Sequence, residues 1–237
     1  MEPRQNQLGQ PIGEPLENWL PAQIPSRVSS EGRFCRVEPI DVDRHAADLF
    51  AAFQTDTENR NWTYLPYGPF KTEAGFKTWM IDICHSDDPL FHSVVDLATG
   101  GTVGVASYLR IEPVVGVIEV GHINFSPLIQ RTRVATEAMY LMMRRVFNDL
   151  GYRRYEWKCD ALNTPSRRAA ERLGFQFEGV FRQATMYKTR NRDTAWYSII
   201  DSEWPTLDRA FTAWLDDENF GSDGQQKRKL GALIGQF

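Results

Sequence analysis

Cysteine is scarce in this 237-residue chain: Cys35, Cys84 and Cys159 stand far apart, with no CxxC pair. An odd, scattered set argues against a disulfide framework and against a zinc site, so buried free thiols and no metal are expected. No apolar run approaches the roughly 20 residues that a membrane-spanning helix needs. The opening MEPRQNQLGQ also lacks the apolar core of a signal peptide. No membrane partner and a cytoplasmic location are therefore expected. Internal repeats and low-complexity tracts are missing as well, and 42% apolar residues are ample for a packed core, which excludes disorder throughout.

Residues 1–30 are rich in Pro, Gln and Ser without periodicity and read as an extended arm. Phe34 to Ile40 reads as a strand. Asp41 or Asp43 then caps a helix that carries Ala46, Leu49, Phe50 and Phe53 at helical spacing. A second helix is expected from Thr72 to about His85, after an aromatic loop, NWTYLPYGPF. Strands follow at Leu90–Leu97, Val103–Ile111 and Val115–Phe125 as an antiparallel meander. Between Val134 and Leu150 apolar residues recur at three and four, and Gly151 stops the pattern, so a helix covers the sheet. Tyr155–Ala161 returns as a strand. In NTPSRRAAERLGFQFEG, Asn163 or Thr164 can cap a helix, Pro165 suits its first turn and Gly174 ends it. Gly179–Tyr187 and Thr194–Asp201 close the sheet as a pair around Asn191-Arg192-Asp193.

The stretch from Asn163 to Gly179, together with what precedes it, resembles the carboxy-terminal half of the GNAT acetyltransferase superfamily, closest to its RimJ/RimL-like branch. Asn163, Ser166 and Leu173-Gly174-Phe175 stand where that family has its turn-opening Asn, its small or hydroxyl residue and its helix-ending Leu-Gly-Phe. The resemblance runs from about Phe34 to Trp204. It implies an α+β (α/β three-layer) fold: a GNAT-like mixed, mostly antiparallel twisted sheet flanked by helices and splayed between the fourth and fifth strands, here Val115–Phe125 and Tyr155–Ala161. It further implies an acetyltransferase domain over 31–217, between the arm of residues 1–30 and a tail of 218–237. That tail stays open as a disordered end or an oligomer contact, as in a homodimer.

The same resemblance implies acetyl-CoA as cosubstrate and a primary amine as acceptor, a protein N-terminus or a small-molecule amine. The amine would attack directly in a ternary complex. The charge distribution suits a compact polyanion. Arg131 to Arg172 holds ten basic and five acidic residues in a chain of net charge −4. Such a field favours coenzyme A over long nucleic acid, which is disfavoured as a partner because RNP, KH and zinc-finger signatures are missing. Solvated helix faces are the bland reading of those charges. The acidic remainder hints at a cationic acceptor.

Residue by residue, the family's phosphate loop falls on Gln130, Arg131, Thr132, Arg133, Val134, Ala135 and Thr136, with Arg133 in place of the central Gly. An arginine there could itself reach a phosphate. Ile123, Asn124 and Phe125 would present the strand edge to the pantetheine arm, with a backbone amide near Asn124 or Phe125 for the oxyanion. Asn163 would hold that arm or a water, or simply cap the helix. Ser166 is the candidate proton donor to the leaving thiol, because its position in the branch matches a proposed general acid; the Tyr that many relatives use instead is Ala170 here. The candidate bases are Glu119, at an acidic position that relatives often use, and His122, three residues on. In a regular strand the two face opposite sides, so only a bulge would bring them to one cleft. Asp160 is a third, weaker base candidate. At pH 7, freeing a lysine amine costs roughly 4.6 kcal/mol and an α-amine only about 1.1 kcal/mol, so a weak base suffices for the latter. A non-catalytic acyl-CoA-binding module is the alternative to an enzyme.

Overall fold

Apolar strand segments set the main sheet, and the computed structural model, which describes residues 4–83 and 85–237, places it between Ser30 and Ile200. Cys84 lies outside the described residues. The strands are β1 (Arg4–Gln5), β2 (Pro11–Ile12), β3 (Ser30–Glu31), β4 (Cys35–Pro39), β5 (Leu90–Asp96), β6 (Thr102–Glu112), β7 (Val117–Phe125), β8 (Arg154–Asp160), β9 (Gln176–Tyr187) and β10 (Arg190–Ile200). The helices are α1 (Val42–Gln54), α2 (Glu73–Ile83), α3 (Arg133–Arg144), α4 (Thr164–Arg172), α5 (Trp204–Leu215) and α6 (Leu230–Ile234). Strands β3 to β10 form one sheet in the order β3-β4-β5-β6-β7-β8-β10-β9. Every pair in it is antiparallel except β7 with β8.

Helices cover both faces, which makes three layers. On one face Ala138, Met139 and Met142 of α3 and Leu207, Ala210 and Phe211 of α5 pack on Tyr108, Ile118, Val120, Tyr155 and Trp157. On the other, Leu49 and Phe53 of α1 and Phe76 and Met80 of α2 pack on Phe91 and Val105. Asp41, not Asp43, caps α1, accepting from the Arg44 amide at 3.0 Å. Among the described residues no helix is long and apolar enough to cross a membrane.

Several elements differ from the sequence expectation. The β9–β10 turn is Lys188-Thr189, both at positive φ, rather than Asn191-Arg192-Asp193. The Asn and Asp that look like turn residues build a bulge instead: Asp193 accepts from the Gln183 amide at 2.7 Å and from Asn191 Nδ2 at 3.0 Å, where the register shifts. The α3 helix gives way to a π-turn over Arg145–Asp149 before the chain reaches β8. The amino-terminal arm includes the small β1–β2 hairpin and rests on the body through Trp19, whose indole donates to the Val114 carbonyl at 2.8 Å. The segment 218–237 is ordered against the body, with Leu230 and Leu233 of α6 buried in the core around α5.

Candidate functional site

The parallel pairing of β7 with β8 covers only Val117–Val120 against Arg154–Trp157. Beyond Val120 the strands part. Gly121–Phe125 continue against β6 alone, while Lys158, Cys159 and Asp160 continue against β10. Each strand therefore keeps an unpaired backbone edge toward a wedge, and such edges accept an extended ligand as they would another strand.

A bulge shapes the near wall of this wedge. Ser107 faces Gly121 and Val105 faces Asn124, so His122 and Ile123 together oppose Ala106. His122 takes φ 50. Residues directly opposite in an antiparallel pair share a face, and Val105 belongs to the α1/α2 side, so Asn124 does too. His122 also lies there, 5.0 Å from Phe91 and stacked at 5.7 Å on Tyr67. Glu119 shares the face, because Val120 beside it points into the α3 core. The bulge thus gathers Glu119, His122 and Asn124 on one side.

Each of the three has a distinct environment. Glu119 is 3% exposed and its Oε2 is held by Arg110 at 2.6 Å and Lys158 at 2.9 Å. Burial raises its pKa, against the lowering pull of those two cations. Lys158 also pairs with Glu156 at 2.7 Å and sits 3.7 Å over the Trp196 ring. His122 is pushed down to about 4, first by burial and then by the charges of Arg110 and Arg192, so at pH 7 it is a neutral imidazole. Its Nδ1 is 3.0 Å from the Tyr67 hydroxyl. Asn124 is 3% exposed with neither Oδ1 nor Nδ2 bonded. Orphaning buried polar groups costs about 1–3 kcal/mol each. Ser126 Oγ, Arg192 Nε and Trp196 Nε1 are also buried without a partner. Orphaned polar atoms on β7, just beyond it and on β10 around one splay fit a polar ligand completing the site.

On the far wall, Trp157 donates its indole N–H to Ser166 Oγ at 3.0 Å, leaving the serine proton to be donated elsewhere. Burial raises the Cys159 thiol, partly offset by a hydrogen bond with Ser166. Asn163 is the α4 cap, its Oδ1 accepting from the Ser166 amide at 3.2 Å. Asp160 is committed to the Leu162 amide and the Tyr187 hydroxyl, at 2.8 and 2.7 Å.

The loop into α3 departs from the expectation at Arg133. Thr132 caps the helix, and Arg133 is its first residue, in helical backbone. The left-handed residue is Arg131, at φ 64, so no glycine is required at 133. The Arg133 side chain does not reach toward a phosphate: it lies between the Phe34 and Phe220 rings, at 4.6 and 4.3 Å, and pairs with Asp217 at 2.9 Å. Its backbone amide and that of Val134 carry no hydrogen bond among the described residues, which leaves two donors at the positive end of the helix. Ala135 N bonds Thr132 Oγ1, and Thr136 Oγ1 bonds the Thr132 carbonyl, so these two serve the cap. Gln130 is occupied otherwise as well, donating to Asn61 Oδ1 and the Phe125 carbonyl at 3.0 and 2.9 Å. The Phe125 carbonyl therefore serves the loop, not an open edge. Ile123 packs against the α3 core.

Tyr67, Arg110, Lys158, Arg192 and Trp196 were not singled out from the sequence. Only the aromatic loop that carries Tyr67 was noted, as a loop. Its tip meets the β9–β10 turn: Lys188 Nζ donates to the Trp62 carbonyl at 2.7 Å and Arg190 donates to the Thr63 carbonyl. Together they roof the face that carries His122.

Residues 36–176 match the family model described as an acetyltransferase (GNAT) domain. A crystal structure of a GCN5-related N-acetyltransferase from Brucella melitensis is similar at 50% identity, covering 93% of this chain and 100% of that one, with a TM-score of 0.91. A second, described as a probable acetyltransferase of the GNAT family from Chromobacterium violaceum ATCC 12472, is 41% identical over 83% of this chain and 98% of that one, with a TM-score of 0.76. Among curated proteins, the uncharacterized N-acetyltransferase YnaD of Bacillus subtilis (strain 168) is 28% identical over 86 residues, 36% of this chain. The match spans half the length of that relative.

Proposed function

Because the chain belongs to the GNAT acetyltransferase family, we propose that it transfers the acetyl group of acetyl-CoA to a primary amine by direct attack in a ternary complex. The observation that carries this reading is the end of β7–β8 pairing at Val120 and Trp157, which opens a backbone edge near the free amides of Arg133 and Val134. The edge suits a pantetheine arm, and the helix end suits its pyrophosphate. The bound thioester supplies the electrophilic carbonyl.

Three jobs then fall to this chain. The attacking nitrogen forms its bond to carbon while the C–S bond breaks, so the amine must lose a proton and the sulfur gain one. Ser166 is suited to the second task, because its oxygen already accepts from Trp157 and its hydrogen can turn from the Cys159 sulfur to the leaving one. Neutral His122 is suited to receive the amine proton through Nε2 as attack acidifies the nitrogen. Glu119, locked between Arg110 and Lys158, is better placed to hold those cations than to leave them for a proton. Asn124 can orient the amine or the carbonyl oxygen through its unbonded carboxamide.

Calorimetric titration with acetyl-CoA and a thiol-release assay over an amine panel test this reading. Micromolar binding with amine-dependent release is expected. Binding without release above background would mark the chain as an acyl-CoA-binding module, and no binding would refute both.

A further inference from the structure

Nearly every cation around the roofed face is committed. Arg110 and Lys158 hold Glu119, Arg154 holds Glu156 and Glu178, Lys188 and Arg190 hold backbone carbonyls of the aromatic loop, and Arg167 holds the Tyr197 hydroxyl. The Arg192 side chain makes no hydrogen bond or ion pair among the described residues. Its Nε is buried without a partner and its guanidinium lies 5.9 Å from the Tyr187 ring. On the paired strand, the Asp160 carboxylate opposite Thr194 accepts from the Tyr187 hydroxyl and the Leu162 amide. An arginine cannot relieve such a position by losing its proton, and a half-buried guanidinium without a counter-ion is unfavourable until an anion arrives.

Its position gives that vacancy a meaning. Arg192 precedes the Asp193 bulge on β10, two residues before Thr194, which faces Asp160 on the part of β8 that has left β7; its charge accordingly lowers the pKa of both His122 on β7 and Cys159 on β8. Lys188 and Arg190 on the adjoining turn add further positive charge to the roof. Granted the acyl-transfer reading above, we infer that the acceptor is an amine that also bears an oxyanion, a carboxylate or a phosphate, held by the uncommitted guanidinium of Arg192 while its nitrogen faces the wedge. The fork of donors matches either oxyanion. A cationic acceptor, hinted at by the acidic composition, would meet repulsion here.

The test uses the full chain saturated with CoA and calorimetric titration of matched pairs: glycine and glycinamide, glutamate and glutamine, O-phosphoethanolamine and ethanolamine. In at least one pair the oxyanion member is expected to bind at least about tenfold more tightly, the gap that a charge-assisted fork supplies. Arg192→Gln should erase the gap and Arg192→Lys keep part of it, with acetyl-CoA affinity within about twofold of wild type. The carboxylate and phosphate pairs tell which oxyanion is taken. Equal binding within every pair by the wild-type protein, no binding of any oxyanion member, a gap that survives in Arg192→Gln, or loss of acetyl-CoA affinity in that variant would each overturn the inference. The wild-type comparison holds even if a variant does not fold. Failure of the wild-type protein to bind acetyl-CoA is a separate signal and would overturn the acyl-transfer reading, taking the inference with it.

Discussion

Ser166 has two hydrogen-bonding neighbours that bear on its role, the Trp157 indole and the Cys159 thiol. With the Trp157 indole donating to Oγ, the hydroxyl keeps its own proton to donate, and its bond with the Cys159 sulfur would have to give way to one with the leaving sulfur. Ser166→Ala should lower kcat by about 10–100-fold, within the range of general acid catalysis, with acetyl-CoA affinity nearly unchanged by calorimetry. A similar loss in both quantities would make the serine structural. His122 offers a second residue-scale prediction. Burial and the charges of Arg110 and Arg192 hold it near 4, so its ring proton signals in NMR should stay at their neutral positions from pH 8 down to pH 5.5. The rising limb of kcat/KM with pH should then follow the acceptor amine and show no inflection near the ordinary histidine value of about 6.5.

At the scale of elements, two irregularities build the site. The bulge at His122 and Ile123 turns the end of β7 so that His122 and Asn124 join Glu119. The Lys188-Thr189 turn carries cations to the aromatic loop. Lys188→Ala removes the bond to the Trp62 carbonyl and should loosen the roof. KM for the amine is expected to rise about three- to tenfold, the worth of one charge-assisted hydrogen bond, with KM for acetyl-CoA unmoved in steady-state kinetics. The aromatic loop was legible in sequence as a loop, because two prolines stand among its Trp and Tyr residues. Its contact with β9–β10 was not, because a carbonyl acceptor leaves no residue signature.

For the whole molecule, stability is tied to groups far from the wedge. Leu230 of α6 is 1% exposed within the core around α5. Leu230→Ala should cost about 2–5 kcal/mol in urea denaturation, whereas a merely adherent tail would give almost nothing. Burial also lowers His92 to about 3, with Arg145 adding to the effect. Both His92 and His122 therefore bind protons more readily in the unfolded chain. Stability should be flat above about pH 6.5 and fall as pH drops toward 4, by up to about 1.4 kcal/mol per unit for each histidine. Urea midpoints at pH 7, 6 and 5 measure that slope.

Sequence by itself determined the strand and helix order from Phe34 to Asp201, because period-two and period-three-to-four apolar patterns are local properties of the chain. Caps were narrowed to adjacent candidates for the same reason, since a side-chain oxygen three residues from an amide needs no partner from elsewhere; the structure takes Asp41 over Asp43 and Asn163 over Thr164. Tertiary structure alone decided that Arg133 is stacked between Phe34 and Phe220 rather than free, and that Glu119 is clamped while Arg192 is not. The physical reason is that the state of a charge depends on which groups distant in the chain come within hydrogen-bonding reach. That proximity is set by strand register and bulges, which no single segment encodes.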